Sequence, residues 1–99
     1  MVSKRALTKA GTVTVTFDLP AAVRADCIAL CGDFNGWSRE RHLLKRNREG
    51  VWRVSIALKP GRSYRFRYLI DGAGWENDWT ADGYLRNEFG GEDSVVVIP

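Results

Sequence analysis

Arg62-Ser63-Tyr64-Arg65-Phe66-Arg67-Tyr68-Leu69-Ile70-Asp71-Gly72-Ala73-Gly74-Trp75-Glu76-Asn77-Asp78-Trp79 is the stretch whose pattern decides the fold. Strand side chains alternate between two faces. Tyr64, Phe66, Tyr68 and Ile70 therefore share one face, and Arg65, Arg67 and Leu69 share the other. The first set is large and apolar enough for a core. The second sets two guanidinium groups on the opposite side. Asp71-Gly72 then ends the strand as a tight hairpin turn, and Trp75 and Trp79 follow at once. Core, cationic face and aromatic side chains come from one short segment.

Outward from this segment the same period recurs. Thr12 to Leu19 alternates with Val13, Val15, Phe17 and Leu19 facing in, and Pro20 ends the run. Ala21 to Ala25 is long enough for a helical turn at most. Asp26 to Gly32 is apolar on both faces and predicts a central strand. Gly32-Asp33-Phe34-Asn35-Gly36-Trp37-Ser38 is a loop of turn formers. One helical turn is expected over 38–42 and a short strand over 43–45. Asn47 to Gly50 reads as a hairpin turn, and Val51 to Leu58 alternates again with Trp52, Val54, Ile56 and Leu58 on one face. Lys59-Pro60-Gly61 fits a type II turn. Residues 74–92 show little periodicity. Ser94 to Ile98 is a β-branched run that predicts a closing strand buried on both faces. Strands joined by turns, with no long amphipathic helix, point to an all-β sandwich or small barrel.

The 99 residues suffice for one domain. Residues 1–10 are polar and irregular and predict a flexible N-terminal arm, leaving residues 11–99 as the domain. Apolar residues make up 44% and charged residues 27%, an ordinary balance for a soluble globular chain. No apolar run reaches the length of a membrane helix, and the basic N-terminus lacks the apolar stretch of a signal peptide. A cytoplasmic location is the expectation. The net charge of +3 permits an acidic partner without demanding one. Cys27 and Cys31, four apart along a strand, have Cα atoms roughly 13 Å apart, too far for a disulfide. Two cysteines are also too few for a structural zinc site, so both are expected as small buried apolar side chains.

The candidates for chemistry are aromatic rather than catalytic. The carboxylates lie mostly in turns, where Asp caps backbone. His42 has no acid–base partner near it in sequence and is expected at the surface. No nucleophile motif, phosphate loop or metal cluster is present, so the chain is expected to be no enzyme, with no metal and no cofactor. Trp52 belongs to the core by its strand face. Trp37, Trp75 and Trp79 instead sit in loops among polar residues and glycine. Indole rings beside Arg and Asn side chains suit flat polar rings: the C–H face of a sugar stacks on them, and its hydroxyls find hydrogen-bond partners. Arg53, Arg65 and Arg67 interleaved with aromatics also admit single-stranded nucleic acid, a reading the modest charge disfavours.

The motifs Gly32-Asp33-Phe34-Asn35-Gly36-Trp37, Tyr64 to Gly72, Trp75-Glu76-Asn77-Asp78 and Asn87 to Ser94 resemble, in order and spacing, the isoamylase-type early-set domain of carbohydrate-binding module family 48. This module stands at the front of glycogen branching and debranching enzymes and in the beta subunit of AMP-activated protein kinase. The chain is most similar to small stand-alone bacterial members. The resemblance covers nearly everything after residue 10 and implies an immunoglobulin-like β-sandwich that binds α-1,4/α-1,6-glucan without catalysis. By position, the two glucose-stacking tryptophans of the kinase-subunit modules fall on Trp37 and Trp75, their lysine on Arg67, the leucine of their last loop on Phe89 and the asparagine beyond it on Asp93. Arg67 keeps charge and donors in a planar group, Phe89 is bulkier, and an ionised Asp93 only accepts hydrogen bonds. One extra residue precedes Trp75. The implied partners are α-glucan polysaccharide or maltooligosaccharide and a glycogen-metabolising enzyme, with no nucleic acid and no membrane. A scaffold or protein-interaction domain that does not bind sugar is the alternative.

Overall fold

The alternating and β-branched runs become strands in the computed structural model, which describes residues 2–7 and 10–99, and the side chains of all of these except 5–7. They are β1 (Val2–Leu7), β2 (Val13–Leu19), β3 (Ile28–Gly32), β4 (Lys45–Arg46), β5 (Trp52–Leu58), β6 (Arg62–Ile70), β7 (Gly74–Glu76), β8 (Gly83–Arg86) and β9 (Glu92–Ile98), with one 3-10 turn at Asp33–Asn35. One sheet runs β1-β2-β5-β4 and the other β3-β6-β9-β8, with β7 also paired to β6. Every pairing is antiparallel. This is an all-β, immunoglobulin-like sandwich. Among the described residues no helix is long and apolar enough to cross a membrane.

The period of two sets the core between the sheets. Val15, Phe17, Ile56 and Leu58 from the first sheet meet Ile28, Leu30, Tyr64, Phe66, Tyr68, Val96 and Ile98 from the second. Phe17 and Phe66 pack edge to face across the layers, with ring centroids 5.0 Å apart. β6 is the axis of its sheet. On one side it pairs with β3 along residues 66–70; on the other it pairs with β9 along residues 62–66 and with β7 along residues 68–70. The turn between β6 and β7 is the expected Asp-Gly hairpin. Asp71 and Gly72 both take positive φ, 51° and 72°, the backbone of a type I′ turn. The Asp71 carboxylate accepts from the backbone N–H of Asp26 and Cys27, which ties the turn to the entry of β3.

The structure corrects several expectations. Residues 2–7 are not a loose arm but the edge strand β1, because the free edge of β2 offers them ladder partners and Val2 packs against the core. β3 is not central: among the described residues, beyond it lies only a single bridge, Ala29 to Leu43. Its outer face is buried instead by a second small cluster, Ala29, Cys31 and Leu69, with Trp37 packed on it. Cys27 is exposed, because it stands just before the strand that buries Cys31. The expected helical turns at 21–25 and 38–42 do not form. The unpatterned segment 74–92 contains β7 and β8. Val97 is exposed, so β9 is not buried along both faces.

Candidate functional site

The outer face of β6 and the loop after β3 together build the candidate site. Gly32 opens that loop, and no larger residue fits there: a Cβ would lie 2.6 Å from the Arg65 carbonyl oxygen and 2.8 Å from the Phe34 ring. Asn35 then fastens the loop. Its Oδ1 accepts from the backbone N–H of Gly32 and Ser38, both at 3.2 Å. Its Nδ2 lies 2.9 Å from the Leu30 carbonyl and 2.9 Å from His42 Nδ1. With the amide oriented by these contacts, His42 Nδ1 accepts, so the imidazole is neutral. Burial, then the Arg41 charge, push the His42 pKa below its ordinary value, in keeping with that role. His42 is thus a half-buried support of the loop rather than the surface residue expected.

The loop delivers Trp37 with a positive φ of 60°, a conformation that costs a non-glycine residue energy and survives only where the surroundings fix it. One side of the indole rests on the Ala29, Cys31 and Leu69 cluster. Its Nε1 donates to Asp33 Oδ1 at 3.1 Å, and Asp33 Oδ2 accepts the backbone N–H of Arg65 at 2.8 Å. Asp33 therefore locks the ring to β6.

Arg67 lies between the two key tryptophans. Its guanidinium carbon is 6.0 Å from the Trp37 ring centroid and 5.1 Å from that of Trp75, within cation–π range. The rings meet edge to face, 6.4 Å between centroids and 67° between planes. Behind Arg67 stands Asp93, 5% exposed. Asp93 Oδ1 lies 3.2 Å from Arg67 Nε and accepts from Asn87 Nδ2 at 3.1 Å; its Oδ2 lies 3.6 Å from Arg65. The approach of Arg67 Nε is too bent for a hydrogen bond, and that buried N–H has no hydrogen-bond partner among the described residues. The pair is an ion contact, and the Arg67 fork keeps its hydrogen-bonding capacity.

All five residues expected at a site lie at this face. Trp37, Arg67, Phe89 and Asp93 line one groove of about 530 Å³ together with Asp33, Arg65, Arg86 and Asn87, and Trp75 adjoins it across Arg67. Phe89 is 84% exposed, on a loop held by Asn87 Oδ1, which accepts the backbone N–H of Phe89 and Gly91. Asp93 differs in kind from the others: it is buried beneath the arginines rather than open to a ligand. Sequence reasoning missed Arg39, whose guanidinium carbon lies 5.6 Å from the Trp75 ring centroid, and nothing in local pattern signals it. Nor did it single out Asn87, which entered only as the first residue of the motif Asn87 to Ser94. Trp79 stands apart from this face, 82% exposed.

The segment carrying Trp75 and Trp79 is anchored from within by Asp78, fully buried. Tyr68 donates to its Oδ2 at 2.7 Å, the Thr80 backbone N–H donates to its Oδ1 at 2.8 Å, and its own N–H donates to Ser94 Oγ at 2.9 Å. Burial pushes the Asp78 carboxyl up, but the hydrogen bonds it accepts, those of Tyr68 and Thr80 among them, outweigh this and hold it below the usual carboxylate range. Burial, then the adjacent Asp78 charge, push the Tyr68 phenol well above its ordinary value.

Comparison with known proteins places this geometry in a family. The chain matches Carbohydrate-binding module 48 (Isoamylase N-terminal domain) over residues 8–85, which includes Trp37, Arg67 and Trp75 and stops short of Phe89 and Asp93. It is 32% identical over 76 residues to Protein FLOURY ENDOSPERM 6, chloroplastic, of Oryza sativa subsp. japonica, covering 77% of this chain and 13% of that protein. It is 35% identical over 65 residues to Protein PTST homolog 2, chloroplastic, of Arabidopsis thaliana, covering 61% and 12%. It is 32% identical over 81 residues to the 1,4-alpha-glucan branching enzyme GlgB of Photobacterium profundum, covering 79% and 11%. The chain thus spans about an eighth of the length of these relatives. On the family match and the sandwich together, the chain belongs to the carbohydrate-binding module 48 family, the isoamylase N-terminal domains.

Proposed function

We propose that the chain is a non-catalytic module that binds α-1,4/α-1,6-glucan, glycogen or starch-like, on the corner formed by Trp37 and Trp75. The observation that carries this is the meeting of those rings at 67° with Arg67 between them. Two indole faces set at an angle suit a helical chain, whose successive sugar faces turn. A pyranose face on an indole removes on the order of 80 Å² of apolar area from water, worth about 2 kcal/mol. The Arg67 guanidinium supplies donors to sugar hydroxyls, and exposed Phe89 walls the far end of the groove. Asp93 orients Arg65 and Arg67 from behind. The branching-enzyme relatives are named for 1,4-alpha-glucan, the same ligand class. A glycogen-metabolising enzyme is the protein partner this reading favours.

Two stacking contacts and a few polar bonds, less the cost of association, give a dissociation constant of roughly micromolar to millimolar. Native electrophoresis through glycogen tests the proposal. The wild-type chain is expected to be retarded and released by maltoheptaose. A Trp37→Ala/Trp75→Ala double variant, its fold checked by circular dichroism, is expected to lose most of that retardation. Equal retardation of variant and wild type overturns the proposal.

A further inference from the structure

A second concavity lies away from the outer face of β6, at the open mouth between the two sheets. It measures about 500 Å³, and its floor is apolar, from Leu19, Pro20, Val23 and Ile70. Trp79 stands at its rim, 82% exposed, more open than Trp75 or Trp52. This ring is not on a loose tether. Its predecessor Asp78 is fully buried and hydrogen-bonded to Tyr68, Thr80 and Ser94. The backbone beneath the ring is therefore fixed, and the ring stands where the apolar lining of the cleft meets water.

Two charged side chains line the same cleft, Arg24 and Glu76. Both are exposed, and neither has a hydrogen-bond or ion-pair partner among the described residues. An apolar polypeptide segment seated here would strip water from both without pairing either. A pyranose pairs both: its C–H face covers the indole while its hydroxyls accept from the guanidinium and donate to the carboxylate. The cleft is also continuous with the first site. Trp75 of β7 lies opposite Leu69 on the outer face, whereas its neighbours Gly74 and Glu76 lie opposite Ile70 and Tyr68 on the inner one. One edge strand separates the two surfaces, and a polymer crossing that edge meets both.

We infer that the Trp79 cleft is a second glucan subsite, in which Trp79 stacks on a pyranose ring and Arg24 and Glu76 bind its hydroxyls. The inference rests on the chain being a glucan binder. It makes the module bivalent toward a branched polymer, where a second weak contact multiplies avidity.

The test follows the indole N–H resonances of the 15N-labelled chain during titration with maltoheptaose. In the Trp37→Ala/Trp75→Ala variant, the Trp79 resonance is expected to shift saturably at millimolar sugar, and Arg24→Ala is expected to weaken that response. Trp79→Ala, at an exposed position, is expected to keep the wild-type response at Trp75 while lowering retardation by glycogen at least about threefold. A Trp79 resonance that stays still while that of Trp75 shifts overturns the inference and leaves the glucan function standing. Shifts at Trp79 with none at Trp37 or Trp75 uphold the inference and overturn the first site. Stillness at all three overturns both.

Discussion

Asn35→Ala is the perturbation that best separates the support of the site from the site itself. Asn35 never touches the proposed ligand surface, yet its side chain holds the Gly32 and Ser38 amides, the Leu30 carbonyl and His42. Removing it leaves partly buried backbone groups unpaired, at about 1–3 kcal/mol for each that water cannot reach. Two of the contacts are long, at 3.2 Å, and the loop can relax. The expected loss is therefore about 2–4 kcal/mol in total. With a urea dependence of about 1.5 kcal/mol per molar for a chain of this size, the unfolding midpoint falls by roughly 2 M. Trp37, held at φ 60° by this loop, then relaxes to a commoner backbone conformation and its ring leaves the corner. Losing one stacking contact of about 2 kcal/mol weakens maltoheptaose binding roughly thirtyfold in the molecules that remain folded. Urea unfolding by fluorescence and calorimetric titration at low temperature read the two effects separately. A variant that loses stability but binds as tightly as wild type would show that Trp37 is not positioned by Asn35.

Four further outcomes follow from the geometry. Protonating His42 removes the acceptor that faces Asn35 Nδ2, and its folded pKa is lowered. That stability contribution is therefore full above the unfolded histidine value of about 6.5 and is lost as pH falls below it toward the folded pKa. Urea midpoints should drop over that window in wild type and much less in a His42→Gln variant. Tyr68→Phe removes the buried hydrogen bond donated to Asp78 Oδ2 and should cost about 1–3 kcal/mol by thermal unfolding, with sugar affinity little changed. Arg67→Lys keeps the charge but loses the planar fork lying 5.1 Å from the Trp75 ring centroid. It should weaken glucan binding by about three- to tenfold, less than Arg67→Ala, in the same titration. Because stacking is not screened by ions, raising salt from about 0.05 to 0.5 M should change glucan affinity less than about twofold; a steep decline would indicate a polyanion as the true ligand.

Much of the fold was legible because the signal was local. The period of two in Tyr64, Phe66 and Tyr68 and in Val13, Val15 and Phe17 dictated which faces meet, and Asp71-Gly72 dictated the hairpin. β1 escaped because its polar residues are ordered by the ladder partners of β2, a tertiary cause with no trace in residues 2–7 themselves. β7 and β8 escaped because edge strands of three and four residues are too short for periodicity to show. At the site, Trp37, Trp75 and Arg67 stand out as aromatic and cationic residues, and the motif order singled them out. The arrangement around them did not, since it depends on contacts across the fold: Asp33 reaching to β6, Asn35 to His42, and Asp93 buried under two arginines. Sequence shows that residue 93 is a carboxylate; only packing shows that it faces the arginines and not the solvent.

The proposed corner is tested most directly by isothermal calorimetry of maltoheptaose against wild type and the single variant Trp75→Ala, whose side chain lies on the three-residue edge strand β7 and is 36% exposed. Saturable binding by wild type in the micromolar-to-millimolar range, weakened at least about tenfold in a variant with an unchanged melting curve, is the outcome predicted here. Equal affinity in the two proteins would contradict it.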